Sequence, residues 1–176
     1  QEQELAHLRP HADALRQRME GNGVTLATGN AFELFGEAIV CEDGRRIQGL
    51  GFWPTTAKRF SNLRYNELCL GSCGEHKIVG FKNQLSHSYG ETGNPFLTML
   101  TGSGLNPEEK EEGFHRGGFI ATYLLGPLLP LNPQFALSLL QKMAPEAEFA
   151  PLPYEDEAYR LRLEELSRPD ANHKAH

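Results

Sequence analysis

Apolar residues first recur at helical spacing. Leu5, Leu8, Ala12, Leu15 and Met19 fall on one face of a helix that stops at the turn-rich Glu20-Gly21-Asn22-Gly23. The pattern then tightens into Val24-Thr25-Leu26-Ala27-Thr28, small or apolar throughout, as in a strand buried on both faces. The strand runs through a sharp turn into a short helix, the whole stretch ending at Gly36. Ala38–Cys41 and Arg46–Leu50 flank Glu42-Asp43-Gly44-Arg45, where Asp-Gly predicts a hairpin. Asn66–Leu70 and His76–Phe81 read as two further strands. Residues 88–118 are rich in Gly, Asn, Pro and Glu and read as a long surface excursion, with one short strand at Phe96–Leu100. A strand over 118–124 precedes Gly126-Pro127-Leu128-Leu129-Pro130. A helix to about Met143 follows, with Asn132 as N-cap and Pro133 at its first position.

Pro145–Pro153 is a linker by composition. Residues 155–167 predict a helix with Tyr159, Leu163 and Leu166 on one face, docked on the domain rather than reserved for a partner. Residues 168–176 read as a disordered tail.

The 176 residues suit one domain with a real core, and the net charge of −6 argues against a nucleic-acid surface. No apolar run approaches the ~20 residues that span a bilayer, and no leader resembles a signal peptide. Three unevenly spaced cysteines do not form a disulfide framework, so a cytoplasmic protein with reduced thiols is expected.

Two stretches carry a resemblance. They are Val24–Gly36, a strand through a sharp turn into a helix, and Phe119-Ile120-Ala121-Thr122-Tyr123-Leu124-Leu125-Gly126-Pro127-Leu128-Leu129-Pro130-Leu131-Asn132-Pro133. Together they resemble class I glutamine amidotransferases of the cobyric acid synthase type, closest to the glutaminase subunits of lipid II isoglutaminyl synthases. In that group the elbow reads roughly Ala-Ile-Cys-Gly-Gly-Tyr-Gln-Leu-Leu-Gly and the later strand Gly-Thr-Tyr-Leu-His-Gly-Pro-Leu-Leu-Pro-x-Asn-Pro. The resemblance covers about residues 1–145. It implies an α/β fold, a mostly parallel, flavodoxin-like sheet flanked by helices, with the family's first strands missing from this chain. Residues 146–176 would hold the linker, terminal helix and tail.

Aligned without gaps, the family's nucleophilic cysteine falls on Gly29 and its histidine on Leu125. Thioester chemistry needs a thiolate at the tip of the turn, beside oxyanion donors, and an imidazole to move the proton. Glycine cannot attack and leucine cannot carry a proton, so no catalytic residue is intact. Shifting the register would put Thr28 at the tip, but a hydroxyl needs a base and none is placed for it.

The same resemblance makes Asn30 and Ala31, just past the tip, candidates for substrate binding. Arg64 sits where the family often carries an arginine, whose guanidinium can fork onto a substrate carboxylate; a solvated surface arginine is the alternative. Asn83 matches the family's Gly-Phe-Glu-Asn-His stretch, while Lys82 and Gln84 depart from it.

Cys69-x-x-x-Cys73-x-x-His76 offers three zinc-type ligands where a closed site needs four, so neither metal nor cofactor is expected. His87 and His115 lie in polar stretches, where exposure is the ordinary expectation.

Three functions remain open. The first is a silent amidotransferase-like scaffold beside a Mur-ligase-like, ATP-using subunit, binding glutamine or ammonia without hydrolysis. The second is a working glutaminase supplying ammonia for a cell-wall or corrinoid precursor. The third is a different chemistry in the space over residues 29–32.

Overall fold

The computed structural model describes residues 1–21, 23–62 and 64–168. The tail expected at 168–176 therefore lies, after Arg168, outside the described residues. The opening helix is broken into α1 (Glu2–Leu8) and α2 (Ala12–Glu20) by a 3-10 turn at Arg9–His11. Pro10 explains the break, because it removes a backbone donor and crowds the preceding turn. The apolar face survives it: Leu5 and Met19 are buried, and Leu8 and Leu15 pack on the same core.

The chain continues through β1 (Thr25–Thr28), α3 (Ala31–Phe35), β2 (Ala38–Val40), β3 (Arg46–Gln48), β4 (Thr56–Arg59), β5 (Tyr65–Cys73) and β6 (His76–Gln84). Then come β7 (Ser86–Tyr89), β8 (Leu97–Thr101), β9 (Glu111–Glu112), β10 (Phe114–Arg116), β11 (Phe119–Thr122), α4 (Pro133–Met143) and α5 (Pro153–Leu166).

The expected mostly parallel sheet is not what forms. The strands make three small sheets, ordered β1-β11-β10, β3-β2-β4-β7 and β6-β5-β8-β9. Among the described residues only β1 with β11 and β2 with β4 run parallel; the other pairings are antiparallel. Short turns such as 42–45 and 74–75 can only return a strand antiparallel to its neighbour. The fold is mixed α/β.

Residues 88–118 also differ from the expected surface excursion. They supply β8, β9 and β10, and Leu97, Met99, Leu105 and Phe114 are buried. Composition hides this because Glu112, on the shortest strand, is itself buried. Its carboxylate accepts from the Thr122 hydroxyl (2.7 Å) and the Tyr123 N–H (2.8 Å).

Strand β11 separates two cores. Phe119, Ala121 and Tyr123 enter one, whereas Ile120 and Leu124 enter the other, the period-two alternation of a strand buried on both faces. Trp53 stacks on Phe114 at 4.5 Å in the first core, and Phe35 meets Phe119 edge-on at 5.1 Å. Helix α5 lies on β5 and β6, where Leu166, Leu163 and Tyr159 pack against Leu70, Val79, Leu68 and Leu131.

Asn132 precedes α4 as expected but does not cap it with its side chain. Its carboxamide turns into the protein and bonds to the backbone of Val79 and Leu128 instead. No described helix is long and apolar enough to cross a membrane.

Candidate functional site

Because β1 and β11 are parallel neighbours, with Thr28 opposite Thr122, the chain leaves both strands at the same end. Ligand crevices in α/β proteins open at such strand ends. Gly29 forms the tip of the turn with φ +60°, and the Phe32 N–H closes the turn onto its carbonyl at 3.1 Å. Positive φ is what glycine tolerates and a Cβ disfavours.

Leu125 arrives at the same place from β11. Its N–H donates to the Phe81 carbonyl at 2.7 Å, which pins it beside β6. The preceding Leu124 is buried directly over Gly80, where any Cβ would collide with its methyl group. A Cβ on Gly29 would lie 2.6 Å from Leu125 Cδ2. The two aligned positions therefore meet, and a methyl group fills the space between them.

Thr28 is exposed just before the tip, and among the described residues no imidazole or carboxylate hydrogen-bonds its hydroxyl. Asn30 is exposed and Ala31 half-buried at the start of α3, where the Phe32 and Glu33 N–H groups already donate to the Gly29 and Asn30 carbonyls at 3.1 and 3.3 Å. Asn83 is half-buried on β6, two residues beyond Phe81, and lies opposite Asn66. Arg64 is exposed immediately before β5, whose first residue pairs with Gln84. Asn83 and Arg64 thus share one end of the β5–β6 hairpin. The Arg64 guanidinium makes no hydrogen bond or ion pair among the described residues.

Beneath the tip lies a polar network that sequence reading missed. Glu33 on α3 is 1% exposed, and burial pushes its carboxyl pKa up, opposed by contacts with Gln1 and Ser86 and by the charge of Arg59. The Gln1 carboxamide donates to Glu33 Oε2 (2.9 Å) and to the Asn30 carbonyl (3.2 Å), and accepts from the Arg59 guanidinium. Tyr123, also buried, shares a 2.7 Å hydrogen bond with Ser88, and burial pushes its phenol up. A lone glutamate in a short helix carries no sequence signal of burial, so only the packing shows it.

The three zinc-type residues do not converge. Cys69 and Cys73 share one face of β5 but are four residues apart, about 13 Å along a strand. Burial pushes the Cys69 thiol up to about 12 and raises Cys73 as well, so neither is an activated nucleophile. Among the described residues no group of three metal-type side chains could hold an ion.

His87 corrects the expectation of exposure. It sits on β7, 2% exposed, stacked on Tyr65 at 4.4 Å and beside Phe60 at 5.0 Å. His115 is half-buried on β10, its Nε2 3.2 Å from the Gly117 carbonyl, and burial lowers its pKa.

No family model matches the chain. Two curated proteins are similar to it. The lipid II isoglutaminyl synthase (glutamine-hydrolyzing) subunit GatD of Staphylococcus aureus is 31% identical over 134 residues, which cover 76% of this chain and 53% of that protein. The subunit of the same name from Streptococcus pneumoniae is 27% identical over 135 residues, covering 73% of this chain and 50% of that protein. The chain spans about half the length of these relatives. The similarity supports the glutamine amidotransferase family.

Proposed function

We propose that this chain is a glutamine amidotransferase-like domain, of the cobyric acid synthase type, that does not hydrolyse glutamine. It acts as a binding or scaffold subunit beside a Mur-ligase-like partner of the kind used in lipid II amidation. Residues 1–145 form the amidotransferase-like domain and 146–176 its C-terminal extension, and the work is done in the cytoplasm. The observation that supports this reading is the contact of Gly29 with Leu125. The strand-turn-helix scaffold is kept, but neither a nucleophile nor a proton carrier stands at its tip. Losing either member of such a pair costs several orders of magnitude in rate. Asn30, Ala31, Arg64 and Asn83 are the residues assigned to hold glutamine, with Arg64 taking its carboxylate.

The test is the native complex, co-purified through this chain, supplied with glutamine and ATP. No glutamate above background and no labelling of this chain by an electrophilic glutamine analogue are expected, together with recovery of a Mur-ligase-like protein. A stable monomer without such a partner removes the scaffold role.

A working glutaminase is the second reading, favoured by the words "glutamine-hydrolyzing" in the names of both relatives. Its nucleophile would have to be Thr28, exposed beside the tip. Glutamate release that disappears in Thr28→Ala would establish it. Different chemistry over residues 29–32 is disfavoured, because Leu125 fills that space.

A further inference from the structure

Helix α5 is held to the rest of the protein by one narrow stripe. Tyr159, Leu163 and Leu166, at i, i+4 and i+7, pack on Leu70 and Val79 of the β5–β6 hairpin. Two hydrogen bonds reinforce the contact, both at exposed positions. The Tyr159 hydroxyl donates to the Lys77 carbonyl (2.9 Å), and Gln134 of α4 donates to the Asp156 carboxylate (3.2 Å). Among the described residues no ion pair joins α5 to another element. Its arginines pair within the helix instead, Arg160 with Glu157 and Glu164, and Arg162 with Glu165. Such pairs support a helix whether or not it is docked.

Packing is incomplete at both ends of the stripe. A cavity of about 320 Å3 opens beside Tyr159 and Leu163, and another of about 510 Å3 beside Leu166 and Leu70. The approach to the helix adds little hold, since residues 148–152 form neither helix nor strand and are mostly exposed. The face beneath is built differently. Strands β5 and β6 pair along their full length, and the Asn132 carboxamide fixes the Val79 backbone. Segments with few buried apolar contacts open at lower free energy than the cores they cover.

We infer that α5 is a releasable strap, exchangeable between copies of this chain. It leaves the β5–β6 face while the rest of the protein stays folded, and α5 of a second copy can take its place. Leu68, Leu70, Val79 and Leu131 make the bared face apolar, so leaving it in water is unfavourable and the closed form is the resting state. A helix of identical sequence on a second copy meets that face with identical contacts. An amphipathic helix laid in an apolar groove by residues at i, i+4 and i+7 is a recurring recognition mode.

The test is thiol labelling of the full chain carrying Val79→Cys, each site followed separately by mass spectrometry. Position 79 lies under α5, whereas the native Cys69 faces the other core with Ile78 and Leu97. Leu70→Cys, also under α5, reports the same opening if Val79→Cys does not fold. Labelling at 79 should be at least about tenfold faster than at Cys69 and depend less on urea, because strap opening exposes less surface than unfolding. Leu163→Ala should speed labelling at 79 by about tenfold. Ile120→Val, in the Cys69 core, should speed labelling at Cys69 severalfold and leave position 79 unchanged. A peptide of residues 150–168 stands for the second copy's helix. It should slow labelling at 79 in the Leu163→Ala chain, and the same peptide carrying Tyr159→Ala and Leu163→Ala should not. Equal rates and equal urea dependence at 79 and Cys69 overturn the strap, as does an unchanged rate in Leu163→Ala. No slowing by the parent peptide at millimolar concentration overturns the exchange.

Discussion

The carboxamide of Asn132 pairs with both backbone groups of Val79. Its Oδ1 accepts the Val79 N–H at 2.8 Å, and its Nδ2 donates to the Val79 carbonyl at 2.7 Å. A further 2.7 Å bond reaches the Leu128 carbonyl, and the residue is 2% exposed. One side chain therefore ties the start of α4 to β6 and to the Gly-Pro-Leu-Leu-Pro turn. Asn132→Ala leaves a buried N–H and two carbonyls without these partners. Each unsatisfied group costs roughly 1–3 kcal/mol, so a loss of about 3 kcal/mol or more is expected in urea unfolding. Asn132→Asp keeps the acceptor but loses both donated bonds, and should also be destabilised at neutral pH.

Gly29 and Leu125 should behave as a coupled pair. Gly29→Ala places a Cβ at φ +60° and against Leu125 Cδ2 at 2.6 Å. The backbone part costs about 1–2 kcal/mol, and the leucine must swing aside as well. Leu125→Ala removes the collision but not the backbone strain. The double variant should be more stable than the sum of the singles predicts, by about 0.5–1 kcal/mol. Strict additivity in a double-mutant cycle would show that the two side chains do not meet.

The same pair gives a chemical test. Gly29→Cys combined with Leu125→His restores a thiol and an imidazole to adjacent positions. The double variant should be labelled by an electrophilic glutamine analogue faster than either single variant. Equal labelling of Gly29→Cys alone would mean that position 125 does not address the tip.

Much of this site was legible in the sequence, because close backbone approaches leave durable marks. The apolar run 24–28, Gly29 and the spaced Gly-Pro-Leu-Leu-Pro-x-Asn-Pro sit where the pattern puts them, as β1, the tip and the entry to α4. The Asp43-Gly44 turn likewise joins β2 to β3 as expected. Sheet direction was not legible, since a buried parallel strand and a buried antiparallel one show the same apolar run. Burial of polar residues was also hidden. Glu33, Lys82, His87 and Glu112 are each 2% exposed or less. What holds them is partners distant in sequence: Gln1 for Glu33, the carbonyls of Ser103 and Gly104 for Lys82, and Thr122 for Glu112.

Glu33→Gln should stabilise the protein at neutral pH. The folded carboxyl has a pKa raised above its ordinary 4.5, chiefly by burial. The native state then holds its proton more tightly than the unfolded chain does. Its contribution is intact below the unfolded pKa and is lost as pH rises toward the folded one. The glutamine variant has no charge to bury and keeps a carbonyl for the Gln1 donor. Its advantage over the parent should grow from about pH 4.5 upward and then level off. Thermal melts across that range should show the gap widening; a gap independent of pH would mean that Glu33 is not desolvated.

Cys69 gives the opposite end of the pH scale. Burial raises its thiol from 9.0 to about 12, the nearby Lys82 charge opposing the shift. The folded protein retains this proton after the unfolded chain has lost it, so stability is level below about pH 9 and falls between about 9 and 12. A rise of that size corresponds to roughly 4 kcal/mol at most. Tyr65, raised from 10.0 to about 12 mainly by burial, adds to the same alkaline decline. Cys69→Ala should flatten part of the slope while costing little volume beside Gly102. The native thiol should also resist alkylation at neutral pH until the protein unfolds. Rapid labelling of Cys69 under native conditions, or an unchanged alkaline slope in the alanine variant, would contradict its burial in β5.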